Sequence, residues 1–186
     1  MKISMAIFAL VATIQLAVPA SLIVRHELTL RQGTAYKFKT APVDPYDAFR
    51  GRYVALRFEQ NHAPLASGNK WERGQKAYAT LATDKDGFAK FTAVSTTPPA
   101  DKPYLLVHAG WLNSSDVNLE LPFDRFYMEE RIAPAAEQAY RQNNRRGQTN
   151  TTTYALVRIR NGTGVIENLF IGDKPISQFV REQKTP

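Results

Sequence analysis

The 186-residue chain contains no cysteine, which excludes disulfides, a thiol nucleophile and the thiolate sites of zinc fingers and iron–sulfur clusters. Histidine is nearly as scarce. His26 follows an apolar run, His62 sits in a loop-like stretch and His108 in a continuous apolar segment. No two have zinc-ligand spacing, and His108 reads as a hydrogen-bonded core residue. There is no Gly-x-Ser-x-Gly elbow and no helix-opening Ser-x-x-Lys. Gly162, Gly164 and Gly172 lack the lysine and the strand–loop–helix setting of a phosphate cradle, so they read as turns. The sequence calls for no metal, no cofactor and no catalytic residue. Acidic residues are the minority, 17 Asp and Glu against 24 Lys and Arg, and the net charge of +7 favours anionic neighbours such as phospholipid headgroups, acidic polymers or nucleic acid.

What is present begins with an apolar run from Ile3 to Val24, relieved only by Ser4, Thr13, Gln15, Pro19 and Ser21. A bilayer core needs roughly 20 helical residues, and this run supplies them. A signal peptide is the rival reading, since Val18-Pro19-Ala20 offers small residues ahead of a cut at Ser21. Leu22, Ile23 and Val24 prolong the run past that point to Arg25-His26-Glu27. Residues 1–26 therefore read as an uncleaved anchor. Lys2 on one side balances Arg25 and Arg31 on the other, so charge does not orient it. The very short leading tail places the following domain outside, giving a single-pass inner (cytoplasmic) membrane protein with a periplasmic domain.

With 44% hydrophobic and 22% charged residues, the remainder suits one globular domain, 33–175, closed by a polar tail, 176–186. Ala35–Thr40 alternates Tyr36 and Phe38 against Lys37 and Lys39. Gln60–Lys70 has loop composition. Gln75–Thr83 and Phe88–Val94 flank an Asp84–Gly87 turn, and Thr152–Arg160 and Val165–Ile171 flank Asn161–Gly164, so both pairs predict hairpins. Tyr104–Leu112 predicts a buried central strand and Val117–Leu121 another strand. One helix is predicted near Pro134–Arg145, because Pro134 suits a first turn. The class is α+β, mainly β: an N-terminal transmembrane helix, then a mostly antiparallel sheet or partial barrel with one short helix.

The densest signals lie in Val43–Phe58. Pro45 sets its own backbone angle, Asp44 and Asp47 can cap the amides that follow, and Gly51 allows an angle closed to other residues. Arg52–Phe58 then reads as a strand with Val54, Leu56 and Phe58 on one face. Asp44 and Asp47, with Glu59, Glu129, Glu130 and Glu137, would make an acid/base or cation site only if folding gathered them. Their spacing fits a capped turn better. Glu130 and Glu137 could share a helix face only if the helix began ahead of Pro134. Basic residues beside aromatics, at Tyr36–Lys39 and Arg50–Arg57, read as solvated strand faces, and no nucleic acid is expected.

Gly51-Arg-Tyr-Val-Ala-Leu-Arg-Phe58, preceded by Pro42-Val-Asp-Pro45, resembles the signature of the bacterial GDYXXLXY-motif proteins. The likeness continues through Phe126-Tyr-Met-Glu-Glu130, Glu137 and the closing hairpin. Arg52 and Phe58 stand where the family pattern has Asp and Tyr, so no essential carboxylate carries over to position 52. The resemblance implies Asp44, Pro45, Asp47, Arg50, Gly51, Tyr53, Leu56 and Glu130 as motif residues, binding or structural. It also implies a membrane-anchored accessory or interaction protein without established activity, partnered with the inner membrane and an integral, multi-spanning membrane protein. The alternative is a cell-envelope hydrolase or carbohydrate-processing enzyme using carboxylates of the Asp44/Asp47 or Glu129/Glu130 regions. If Gly51 holds a positive φ, Gly51→Val lowers stability by more than about 1 kcal/mol in denaturant melts, and an unchanged midpoint refutes that turn geometry.

Overall fold

The apolar run folds as α1 (Lys2–Gln32) in a computed structural model that describes residues 2–42, 53–65, 71–113, 115–144 and 151–184. Met5, Phe8, Leu16 and Ile23 stand exposed around its circumference. From Met5 onward the helix is long and apolar enough to cross a membrane, and none of its most apolar window is buried against the rest of the protein. By length and composition, apolar on every side and unpacked, the helix is consistent with a membrane anchor. α1 runs beyond the expected end at residue 26. Its last turn, stiffened by Arg31–Glu27 at 2.6 Å, docks on the domain by burying Thr29, whose hydroxyl donates to the Arg25 carbonyl at 2.9 Å.

The strands that follow are β1 (Thr34–Ala41), β2 (Tyr53–Ala55), β3 (Arg57–Phe58), β4 (His62–Pro64), β5 (Lys76–Thr83), β6 (Ala89–Ser95), β7 (Tyr104–Leu112), β8 (Asp116–Glu120) and β9 (Arg125–Tyr127). After α2 (Ala133–Asn143) come β10 (Thr153–Arg160), β11 (Thr163–Ile171), β12 (Lys174–Pro175) and α3 (Ile176–Lys184). One antiparallel sheet has the order β12-β11-β10-β1-β3, a second β4-β8-β7-β5-β6, and β2 pairs with β9 alone. Parallel bridges between Lys37 and Phe88 and between Leu105 and Gly162 join the two large sheets into a nearly closed, barrel-like wall.

Period-two alternation turns Phe38 inward from β1 and leaves Lys37 outside. Phe38 meets Phe123 at 5.5 Å, Phe58 at 5.9 Å and Phe91 at 6.0 Å between ring centroids, which puts rings of both sheets on one residue. Edge-on aromatic pairs of this kind contribute about 0.5–1.5 kcal/mol each beyond the area they bury. The two expected hairpins form. Asp84 accepts the amides of Asp86 at 2.9 Å and Phe88 at 2.8 Å, and Asn161 and Gly162 both take positive φ, 49° and 78°, the tight turn that matches strand twist.

Three expectations are corrected. The loop-like 60–70 contains β4, which pairs with β8 through Ala63 and Val117. β7 is central, but only Leu105, Val107, Ala109 and Gly110 are buried while His108 and Trp111 face solvent, so His108 is not a core residue. An apolar run does not reveal that one sheet face is only partly covered. The supposed polar tail is α3, whose Ile176 and Val180, one turn apart, are buried at 0% and 3% exposure beneath a polar outer face. Lys174, ahead of its start, pairs with Glu182 in its last turn.

Gly33 joins α1 to the barrel. Its amide donates to the Thr29 carbonyl at 2.8 Å, and its carbonyl accepts from Arg158 at 3.2 Å. A β-carbon there would press into the Thr29 carbonyl and stand 3.1 Å from the Ile159 nitrogen. Gly33→Ala should therefore destabilise the domain by about 1–3 kcal/mol through overpacking, read as a lowered thermal midpoint of the purified full chain; an unaltered midpoint refutes the close packing of this joint.

Candidate functional site

The expected strand Arg52–Phe58 is two short strands serving different ladders. Val54, Leu56 and Phe58 do share the buried face, at 0%, 5% and 7% exposure. β2 pairs with β9, placing Tyr53 opposite Tyr127 and Val54 opposite Phe126, whereas β3 pairs with β1 through Phe58 and Thr40. Between them the Leu56 amide donates to the Asp124 carbonyl at 2.8 Å. This crossing opens a cleft of about 400 Å³, lined by Pro42, Leu56, Arg57, Asn61, Leu121 and Asp124 among others. The chain leaves β1 at Pro42 and returns at Tyr53, so the motif segment starts at the lip of this cleft.

Beside the cleft lies a cationic and aromatic patch. The Tyr53 and Tyr127 rings are 5.5 Å apart, and the Arg125 guanidinium lies 5.1 Å from the Tyr53 centroid. Arg125 also approaches Asp124 at 3.5 Å. The Tyr127 hydroxyl, with Asp124 behind it, holds Arg125 more firmly protonated than usual. Tyr127 is 65% exposed. A large aromatic, open to solvent and braced by an arginine, is the composition found at contact hot spots.

Of the motif residues, Asp44, Pro45, Asp47, Arg50 and Gly51 lie outside the described residues. Tyr53 belongs to the aromatic patch and Leu56 to the floor of the cleft. Glu130 is exposed in the turn ahead of α2. Its neighbour Glu129 pairs with Arg131 at 2.7 Å, while the Glu129 carbonyl accepts the Ile132 and Ala133 amides at 2.9 and 3.0 Å. α2 begins at Ala133, with Pro134 in its first turn, so Glu130 and Glu137 do not share a helix. Glu137 is taken by Arg141 at 2.7 Å. Among the described residues no three His, Asp or Glu side chains gather as metal ligands, and Asp124 is the single carboxylate of the cleft wall.

Sequence reading missed the clamp behind the cleft. The Thr40 and Thr153 hydroxyls lie 2.6 Å apart, and one donates to the other. Asn144 donates to the Ala41 carbonyl at 2.8 Å, which also accepts the Tyr140 hydroxyl at 3.4 Å. These bonds pin α2 onto β1 where the chain departs for the motif. Ala133, Ala136 and Tyr140 form a buried helical stripe that was readable from spacing; their polar partners across the chain were not. Burial pushes the Tyr140 phenol up to about 12, against hydrogen bonds to Thr40 and Asn144 that pull it down.

The fold and site define a class: a β-rich, barrel-like domain carried on an apolar N-terminal helix, with a cleft of mixed polar and apolar lining at its motif segment. The chain belongs to the GDYXXLXY protein family, whose sequence model matches residues 15–169. No curated protein and no solved structure matches it.

Tyr140 makes an alkaline signature. Its folded pKa is raised, so the unfolded chain loses this proton first, near pH 10, and stability is retained below that pH and lost as pH climbs towards 12. By pH 11 the loss from this residue is about 1.4 kcal/mol. Tyr140→Phe should flatten the pH 8 to 11 fall in unfolding free energy by about that amount, and an equally steep fall in the variant refutes the assignment.

Proposed function

We propose that this protein is a membrane-anchored accessory protein that presents its domain in the periplasm and uses the motif face, Tyr53, Arg125 and Tyr127 beside the cleft, to hold a multi-spanning membrane protein. The observation that carries this reading is the combination of an unpacked apolar helix with an exposed, arginine-braced aromatic patch at the family motif. The chemistry of the cleft agrees: its described wall offers apolar side chains with Arg57, Asn61 and one carboxylate, Asp124, rather than the two facing carboxylates that hydrolysis of a glycosidic bond requires. Docking through Tyr127 and Arg125 would combine apolar burial with directional hydrogen bonding.

The test is recovery of tagged full-length protein from its own membranes. The expected outcome is membrane retention with the N-terminal segment intact by mass spectrometry, and co-purification of an integral membrane protein. Tyr127→Ala should cut that co-purification about tenfold, the loss of a hot-spot residue, with no change in thermal midpoint. A soluble protein beginning at Ser21 overturns the anchor. Turnover of a cell-wall or carbohydrate substrate, abolished by Asp47→Asn at unchanged midpoint, overturns the accessory role in favour of a hydrolase.

A further inference from the structure

A second cleft lies at the opposite end of β1, where α1 enters the domain. It has a volume of about 380 Å³, the size of a small-ligand site. Gln32 lines it from the end of the helix, Thr34 from the start of β1, Arg160 and Asn161 from the end of β10 and the turn after it, and Asp101 and Lys102 from the segment before β7, with Tyr36 and Tyr104 completing the lining.

Two arginines project from the same side of β10 with different fates. Arg158 is committed, bonded to Glu167 at 2.5 Å and to the Gly33 carbonyl at 3.2 Å. The side chain of Arg160, two residues on and half-buried, makes no ion pair or hydrogen bond among the described residues, and neither does that of Lys102. A guanidinium taken partly out of water without a partner is poorly solvated, and its planar fork can grip two oxygens of a phosphate or a carboxylate at once; of these, phosphate is the anion that every phospholipid headgroup carries. Asp101, exposed at the mouth, offsets one of the two cations and leaves the lining net positive. Gln32, Thr34 and Asn161 add uncharged donors suited to phosphate or hydroxyl oxygens.

We propose that this cleft binds a phosphate group, with Arg160 and Lys102 as its cationic ligands and an anionic phospholipid headgroup as its source. The choice of source rests on the membrane-anchor reading. From Val24, the last residue of the apolar run, to Gln32 on the cleft wall is about 12 Å along a helix. The headgroup layer of each leaflet is about 5–8 Å deep, and the long Lys102 and Arg160 side chains span the remainder.

The test uses full-length protein in a neutral detergent, titrated with short-chain phosphatidylglycerol, short-chain phosphatidylcholine and inorganic phosphate, with binding read by calorimetry and native mass spectrometry. Phosphatidylglycerol should bind at least tenfold more tightly than phosphatidylcholine. Arg160→Gln and Lys102→Gln should each weaken it several-fold, while Lys85→Gln, in the β5–β6 turn, should not. Arg160→Lys keeps the charge and should retain an intermediate affinity, which separates anion binding from a folding defect. Inorganic phosphate binding with the same Arg160 dependence and no gain from the lipid supports the phosphate site and rejects the lipid as its source. Equal binding of the two lipids with no phosphate binding overturns the proposal, as does binding unaltered by Arg160→Gln and Lys102→Gln. Should the protein prove soluble from Ser21, the anchor fails on its own, and the phosphate titration of that form still decides the cleft.

Discussion

Strand β1 is the member on which the structure depends, because it pairs with β10 and β3, packs against β6 of the other large sheet and carries the clamp to α2. Its inward Phe38 receives aromatic edges from Phe58 and Phe123 and a tilted face from Phe91, so one ring ties the two large sheets together. Its N-terminal end continues from the α1 joint, and its C-terminal end feeds the motif segment past the Thr40 and Ala41 clamp. Truncating so enclosed a ring would leave a cavity at the meeting point of both sheets, where backbone on several sides resists collapse.

That arrangement divides the molecule into two ends with different chemistry. At the helix-bearing end, Arg160 and Lys102 face a polar cleft. At the motif end, apolar Leu56 and Leu121 line the other cleft, and the tyrosine pair with Arg125 stands beside it. The first suits small anions and the second suits a protein surface. A strand of eight residues separates them, too far for one small ligand to bridge.

Much of this was legible because it is local. Asp84–Gly87 and Asn161–Gly162 announce their turns through side-chain capping and positive φ, and Pro134 announces the start of α2; none of these needs a distant partner. The inward facing of Val54, Leu56 and Phe58 follows from period two alone. What was illegible is tertiary. Nothing near Leu56 says that the strand changes ladders there, since the cause is the Asp124 carbonyl that takes its amide. β4 is too short to show a period, and α3 hides its two buried residues among polar neighbours. His108 was misjudged because β7 carries an apolar sequence on a face that the described elements cover only in part, half-burying Tyr104 and Leu106 and leaving His108 exposed. The Tyr140 clamp pairs residues 99 positions apart.

The unbroken passage from α1 through Gly33 into β1 makes the helix an axle instead of a tether. No flexible stretch intervenes to absorb rotation, and the buried Thr29 locks the last turn to the barrel. In a bilayer, the phase of α1 would therefore set the compass bearing of the domain. Adding or removing one residue between Val24 and Glu27, ahead of the docked Thr29, would swing both clefts by about 100° around the helix axis and shift them by about 1.5 Å in height, redirecting the motif face to a different neighbour while the strand ladders of the barrel stay as they are.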